Sequence, residues 1–266
     1  MKSFDYHKPS SVADAAKLLA DGDAMALAGG MTLLPTMKQR LNSPRAVVDL
    51  SAIEALRGIR MHETKGLVVG AMATHAEVAA SVLVRDNIPA LAKLAGGIGD
   101  AQVRNCGTAG GSVANNDPAA DYPAALLALG GSVHTNKREI NADDFFCGLF
   151  ATALEEDEII AHLHLPVPQK AAYQKFAQPA SLYALVGVFV AQTSGGVRVA
   201  YTGAGNGGVF RAPPVEDALK ANFSPDAVPE VPQAEVQNLM SDMHGSAEYR
   251  ASLMHTLTKR AVASCA

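Results

Sequence analysis

The sequence predicts an α+β protein, and three observations carry that expectation. Short β-branched runs alternate with Ala- and Leu-rich helical segments, two Gly-Gly loops interrupt the alternation far apart, and strand-like runs followed by helical patterns fill the final third. The break falls at Pro166-Val167-Pro168. The expected organisation is a first domain over 1–168, made of subdomains of about 1–55 and 56–168, then a small α+β domain over 169–266.

Taken in order, Ser11 and Asp14 resemble a capping pair for a helix from about Val12 to Leu19, and Ala24 to Ala28 reads as a strand. That strand delivers the chain into Ala28-Gly29-Gly30-Met31-Thr32. Leu33 to Lys38 reads as a short helix with Pro35 near its start, and Arg45 to Leu50 as the strand that closes a β-α-β-like unit. Leu67 to Ala73 is a further strand; Thr74 and Glu77 form a capping box for a helix through about Val84, with His75 on its first turn in a solvent-facing or packing role. Ile88 to Ile98 reads as a buried helix that feeds Arg104 and the second glycine loop.

After that loop a helix starts at Asp117 or Asp121 and runs to Gly130-Gly131, followed by strands Ser132 to Thr135 and Ile159 to Leu165. His162 and His164 alternate on the last strand and could share a face as metal ligands; with no third ligand visible in the sequence, an exposed strand face is the preferred reading. In the final third, strands are expected over Tyr173 to Ala177, Ala184 to Thr193 and Val197 to Tyr201, with Gly195-Gly196 as a hairpin turn. Helices are expected near Val215 to Ala221, Val231 to Asp242 and Ala247 to Ala263.

The net charge of -4 leaves no electrostatic footprint for nucleic acid. No apolar signal core opens the chain and no apolar run approaches the roughly 20 residues of a membrane span, so a cytoplasmic location without membrane insertion is expected. Cys106, Cys147 and Cys265 are scattered and cannot by themselves build a disulfide frame, a zinc site or an iron–sulfur site. Cys106 is expected to be a small buried packing residue.

The most informative stretch is Gly107-Thr108-Ala109-Gly110-Gly111-Ser112 through Asp121. Adjacent glycines beside hydroxyls allow backbone amides to approach an anion, and the same pattern at Ala28 to Thr32 suggests two loops converging on one diphosphate. Gly203-Ala204-Gly205-Asn206-Gly207-Gly208 matches Gly-x-Gly-x-x-Gly, but Pro213 and Pro214 interrupt the region where a dinucleotide-binding helix should already run, so it is read as a decoy.

With both loops in view, the chain resembles the FAD-binding medium subunit of the molybdenum hydroxylase family. That group includes carbon monoxide dehydrogenase, xanthine dehydrogenase and aldehyde oxidoreductases. The resemblance starts at Phe4-Asp5-Tyr6-His7-Lys8-Pro9 and passes through both glycine loops, Asp100 to Cys106 and Asp117-Pro118-Ala119-Ala120-Asp121, to Tyr249-Arg250. It implies a p-cresol methylhydroxylase-type FAD-binding domain followed by a small C-terminal α+β domain.

By the same resemblance, Ala28, Gly29, Gly30, Met31, Thr32, Thr108, Ala109, Gly110, Gly111 and Ser112 are FAD contacts, and Asp121 meets the cofactor through its carboxylate. Ile160 matches an apolar position near the flavin, Lys175 a lysine near the isoalloxazine, and Tyr183 a residue that can cover one flavin face. For Lys175 the alternative is a solvated strand lysine, and for Tyr183 a core tyrosine. Met31 stands where relatives often carry His or Gln, and Gln178-Pro179 where they carry arginines.

The resemblance further implies an electron-transfer subunit without a side-chain nucleophile or acid–base pair of its own. Electrons would come from [2Fe–2S] clusters on an iron–sulfur small subunit, fed by a molybdenum cofactor on a large subunit, in a dimer of heterotrimers. The four-cysteine insertion of benzoyl-CoA-type relatives is absent. The rival reading is a stand-alone FAD oxidoreductase with its own small organic substrate.

Overall fold

The computed structural model describes residues 1–64 and 66–265. The first sheet is parallel, with strands β1 (Asp5–His7), β2 (Ala24–Leu27) and β3 (Ala46–Asp49) in the order β1-β3-β2. The helix Val12–Ala20 is capped by Ser11, whose hydroxyl accepts from the Asp14 amide, and it buries Ala15 and Leu19. A small core of Val48, Leu50, Ile53, Leu56 and Met72 joins this layer to the next.

The second sheet holds β4 (Ile59–His62), β5 (Gly66–Gly70), β6 (Ser132–Thr135), β7 (Glu139–Asn141) and β10 (Ile160–Leu165) in the order β4-β5-β10-β6-β7, all neighbours antiparallel. A two-stranded ribbon of β8 (Phe146–Gly148) and β9 (Ala151–Thr152) lies between β7 and β10 in sequence. Leu67, Val69, Val133, Leu163 and Leu165 face the main core, where helices Pro89–Gly96 and Tyr122–Leu129 cover them. Every residue of Tyr122–Leu129 is buried, as expected for a helix that is apolar all round.

The third sheet is an antiparallel meander of β11 (Lys170–Ala177), β12 (Ala184–Thr193), β13 (Gly196–Gly205) and β14 (Gly208–Arg211). One face contributes Tyr173, Phe189, Ala191 and Ala200 to the main core; the other packs Val186, Val188, Val190 and Tyr201 on helix Ala247–Ala263. Arg250, 2% exposed, donates to the carbonyls of Leu185 and Gly203 at 2.6 Å each and to both Asp242 oxygens at 2.8 Å, tying that helix to the sheet. No helix among the described residues is long and apolar enough to cross a membrane.

Several expectations change. The helix expected through Val84 is two helices, His75–Ala80 and Val82–Asn87, because Ser81 turns extended and caps the second through the Val84 amide. A helix over Ala101–Cys106, capped by Asp100, was not anticipated. The helix expected from Val231 to Asp242 is reduced to Gln233–Val236; beyond it Leu239 bridges Gly205 and Asp242 is engaged by Arg250. Strand Leu67 to Ala73 ends at Gly70, and β13 extends to Gly205. Cys106 is exposed rather than buried. The Gly-x-Gly-x-x-Gly stretch is the hairpin between β13 and β14, with Gly205 paired to Gly208, and not a turn from strand into helix.

Candidate cofactor site

The two glycine loops do meet. A Cβ on Gly29 would lie 2.1 Å from the carbonyl oxygen of Cys106, so only glycine lets the first loop seat against the segment leading into the second. Gly111 lies beside Ala28 at ordinary contact distance, a Cβ there being 3.4 Å from the Ala28 Cβ.

The roles of the loops differ from expectation. Gly110 and Gly111 lie in the first turn of helix Ala109–Asn115, and the amides of this segment are used internally. Ala109 N–H donates to Ala73 O and Gly110 N–H to Ala71 O, both at 2.9 Å; Gly111 N–H donates to Thr108 Oγ1 at 3.1 Å and Ser112 N–H to Thr108 O at 3.0 Å. Glycine at 110 serves close packing, since a Cβ there would lie 2.5 Å from the Ala71 Cβ. The amides of Gly29, Gly30, Met31 and Thr32 have no backbone acceptor among the described residues, which leaves the first loop as the anion-facing one. Gly30 has φ of +72°, which bends that loop back into helix Leu33–Lys38.

Between the loops runs a cleft of about 910 Å³, within the size range of cofactor sites. It is lined by Ala28, Gly29, Gly30, Met31 and Thr32 from the first loop, and by Thr108, Gly110, Gly111 and Ser112 from the second. Asp121, Ile160 and Tyr183 also line it. Ala109 is fully buried in the main core and does not reach the cleft. Lys175 stands behind the wall: its ammonium is 3.2 Å from the Asp121 carboxylate and donates to Gly97 O at 2.9 Å. It is therefore no solvated strand lysine; its side chain is 9% exposed.

Asp121 is the electrostatic hinge of this wall. It opens helix Tyr122–Leu129, yet its side chain makes no cap bond and instead accepts from the Tyr173 hydroxyl and the Lys175 ammonium. Burial pushes its carboxyl pKa up, and Lys175 and Tyr173 oppose that shift.

The sequence did not reveal several other wall residues. Leu182, in left-handed backbone at φ +59°, folds the Gln178–Tyr183 turn over Gly99, whose hypothetical Cβ would lie 2.6 Å from the Leu182 side chain. This brings the C-terminal domain to the cleft, with Ser181 and Leu182 in its lining. Glu158, also in the lining, is held by a two-pronged bond from Arg138 at 3.0 and 2.9 Å, which lowers its pKa to about 2. His75 is buried, packs against Tyr122 with ring centroids 5.3 Å apart, and has a pKa lowered to about 4 by desolvation, so it is neutral near pH 7. The packing reading of His75 holds, although it lines the cleft and its Nδ1 has no hydrogen-bond partner among the described residues. Only the long-range contacts of these residues place them; a capping box and a proline are local signals, a wall is not.

A cleft of this size, with first-loop amides that have no backbone acceptor among the described residues and glycine contacts that admit no side chain, can take an extended anionic ligand. The chain belongs to the FAD-binding family of the molybdopterin dehydrogenases. Residues 2–168 match the family described as "FAD binding domain in molybdopterin dehydrogenase", and residues 171–265 match "CO dehydrogenase flavoprotein C-terminal domain".

Among relatives, the chain is 38% identical to the nicotine 6-hydroxylase medium subunit of Paenarthrobacter nicotinovorans, over 97% of this chain and 95% of that one. It is 36% identical to the carbon monoxide dehydrogenase medium chain of Afipia carboxidovorans, over 98% and 96%. A solved carbon monoxide dehydrogenase from Hydrogenophaga pseudoflava, lacking the Mo-pyranopterin moiety, superposes with a TM-score of 0.89 at 34% identity, covering 99% of this chain and 97% of that chain. The protein is thus an FAD-containing oxidoreductase subunit of the molybdenum hydroxylase type, with the α+β fold expected of it.

Proposed function

We propose that this chain holds one FAD in the cleft between its two glycine loops and relays electrons within a larger molybdenum hydroxylase. The observation that carries the reading is the convergence of Gly29 on Cys106 and Gly107, which leaves the amides of Gly29 to Thr32 facing the cleft. FAD, when bound, supplies the redox chemistry, taking electrons from reduced partner centres and passing them to an acceptor.

The chain's own residues bind, orient and tune. The first-loop amides and the hydroxyls of Thr32 and Ser112 would hold the diphosphate. Ile160 would pack against the flavin and Tyr183 would cover an exposed edge. Lys175 would act through Asp121, setting how much negative charge the wall presents. Residues 1–168 form the cofactor domain, in subdomains of about 1–55 and 56–168, and residues 169–266 a domain that closes over it through the Gln178–Tyr183 turn. The sheets support that division, since none of the strands is shared across residue 168.

By the chain's likeness to medium subunits, the electron source is a set of [2Fe–2S] clusters on a small subunit and a molybdenum cofactor on a large one, assembled as a dimer of heterotrimers in the cytoplasm. The scattered cysteines support placing the clusters elsewhere. The test is an absorbance spectrum and subunit analysis of the complex purified from its host. Flavin and iron–sulfur bands with two partner chains are expected. Flavin on a lone, substrate-oxidising chain would replace this reading with a stand-alone oxidoreductase, and no flavin after adding FAD would sink it.

A further inference from the structure

Outside the cleft, the second sheet gathers histidines on the face opposite the main core. His162 and His164 project from β10 to that face, and the antiparallel register places His134 of β6 directly opposite His162. The ring centroids of His134 and His162 are 4.7 Å apart, those of His134 and His164 3.9 Å, and those of His162 and His164 4.8 Å. One donor nitrogen from each lies within 4.8 Å of the other two. His164 is buried, so the expectation of an exposed strand face with no third ligand is overturned: the third histidine comes from a strand 28 residues upstream of His162 and only the pairing reveals it.

A carboxylate and a fourth imidazole lie beside the cluster. Glu139 of β7 pairs with His134 in register, with a carboxylate oxygen 2.9 Å from His134 Nε2, and the same carboxylate accepts from Ser132 Oγ at 2.7 Å. The ring of His62, on β4, lies 5.6 Å from that of His164. None of these histidines lines the cofactor cleft.

We propose that His134, His162 and His164 form a binding site for a transition-metal dication of the zinc class, with the Glu139 carboxylate held against His134 outside the metal's own ligands. Imidazole nitrogens favour zinc, copper, nickel and iron over magnesium or calcium. Metal–nitrogen bonds of about 2.0–2.1 Å in a tetrahedral sphere set the donors about 3.3 Å apart, so the rings need to close by roughly 1.5 Å at most, which side-chain rotation supplies. Two of the three ligands sit on the central strand of a five-stranded sheet and the third on its neighbour, so the backbone is already fixed. Glu139 lowers the net charge of the loaded site and is placed to orient His134, as carboxylates do beside metal-bound imidazoles. Bound metal cross-links β6 to β10.

The test uses the untagged full chain in the complex in which it purifies, stripped with chelator and titrated with Zn(II). Elemental analysis is expected to give one zinc per copy of this chain beyond the metals of its partners. Zinc-edge X-ray absorption should show three imidazoles with an oxygen ligand, and the melting temperature should rise with zinc. H162Q, with flavin absorbance confirming its fold, should weaken zinc binding by about 100-fold or more, and E139Q by about 10–100-fold. No added zinc, a sphere with fewer than three imidazoles, or affinity unchanged in H162Q overturns the site. Should H162Q not fold, the coordination sphere of the wild-type chain decides alone.

Discussion

Replacing Gly29 by alanine places a methyl group 2.1 Å from the carbonyl oxygen of Cys106 and 2.7 Å from its carbonyl carbon and from Gly107 Cα. Ordinary contact begins at 3.4 Å, so the two loops must part by about 1.3 Å, and the obstacles are backbone atoms that cannot rotate away. Overpacking of this kind costs about 1–3 kcal/mol. Where that cost is met by opening the junction that presents the Gly29–Thr32 amides, it appears as FAD affinity lower by about 5- to 150-fold. Where the junction resists, it appears as lost stability. FAD binding is followed by flavin fluorescence during titration of the apo-protein, and stability by thermal melting of the same preparation. G207A is the control, because nothing lies within 4 Å of a Cβ there. A G29A protein that matches wild type in both affinity and melting temperature would refute convergence of the loops as the basis of the site.

Three further outcomes are expected. His75 has a folded pKa near 4 against 6.5 for the free group, so the unfolded chain binds more protons between these values; its contribution is complete above pH 6.5 and is lost as pH falls toward 4, by at most about 3 kcal/mol. Denaturant midpoints measured from pH 7 to 4 should therefore fall less steeply in H75F than in wild type. Burial of Asp121 acts in the opposite sense and is common to both proteins. K175M leaves the buried Asp121 carboxylate without its cation and should cost about 3–5 kcal/mol in urea unfolding, whereas a solvated lysine would change it by less than about 1 kcal/mol. R250M removes the donor to Leu185 O and Gly203 O and should destabilise the protein by about 3 kcal/mol, read as a lower urea midpoint.

Local chemistry was legible wherever it is written in neighbouring residues. The Ser11 and Thr74 caps, the two strands of the β12–β13 hairpin and the wholly apolar helix before Gly130 all follow from spacing within a few residues, although the turn between those strands is Ser194-Gly195 and Gly196 already pairs with Thr193. The glycine-rich stretch at Gly203 to Gly208 was less legible: Pro213 and Pro214 open a helix, and it is the pairing of β14 with β13 that makes the stretch a hairpin. Adjacent glycines with hydroxyls marked both loops, because only glycine tolerates the backbone approach seen at Gly29 and Gly110.

What the chain could not state alone was which atoms remain free once the loops meet. Whether the Ala109 and Gly110 amides face a ligand depends on whether the carbonyls of Ala73 and Ala71, far upstream in the chain, have already accepted them, which only the packing of the two segments decides. The same reason placed Lys175 behind Asp121 rather than in the cleft, and assembled His134 with His162 and His164 across two strands. Sequence spacing encodes torsions and periodicity, which are local; hydrogen-bond satisfaction and ligand convergence are properties of contacts between residues tens of positions apart, and only the tertiary structure decides them.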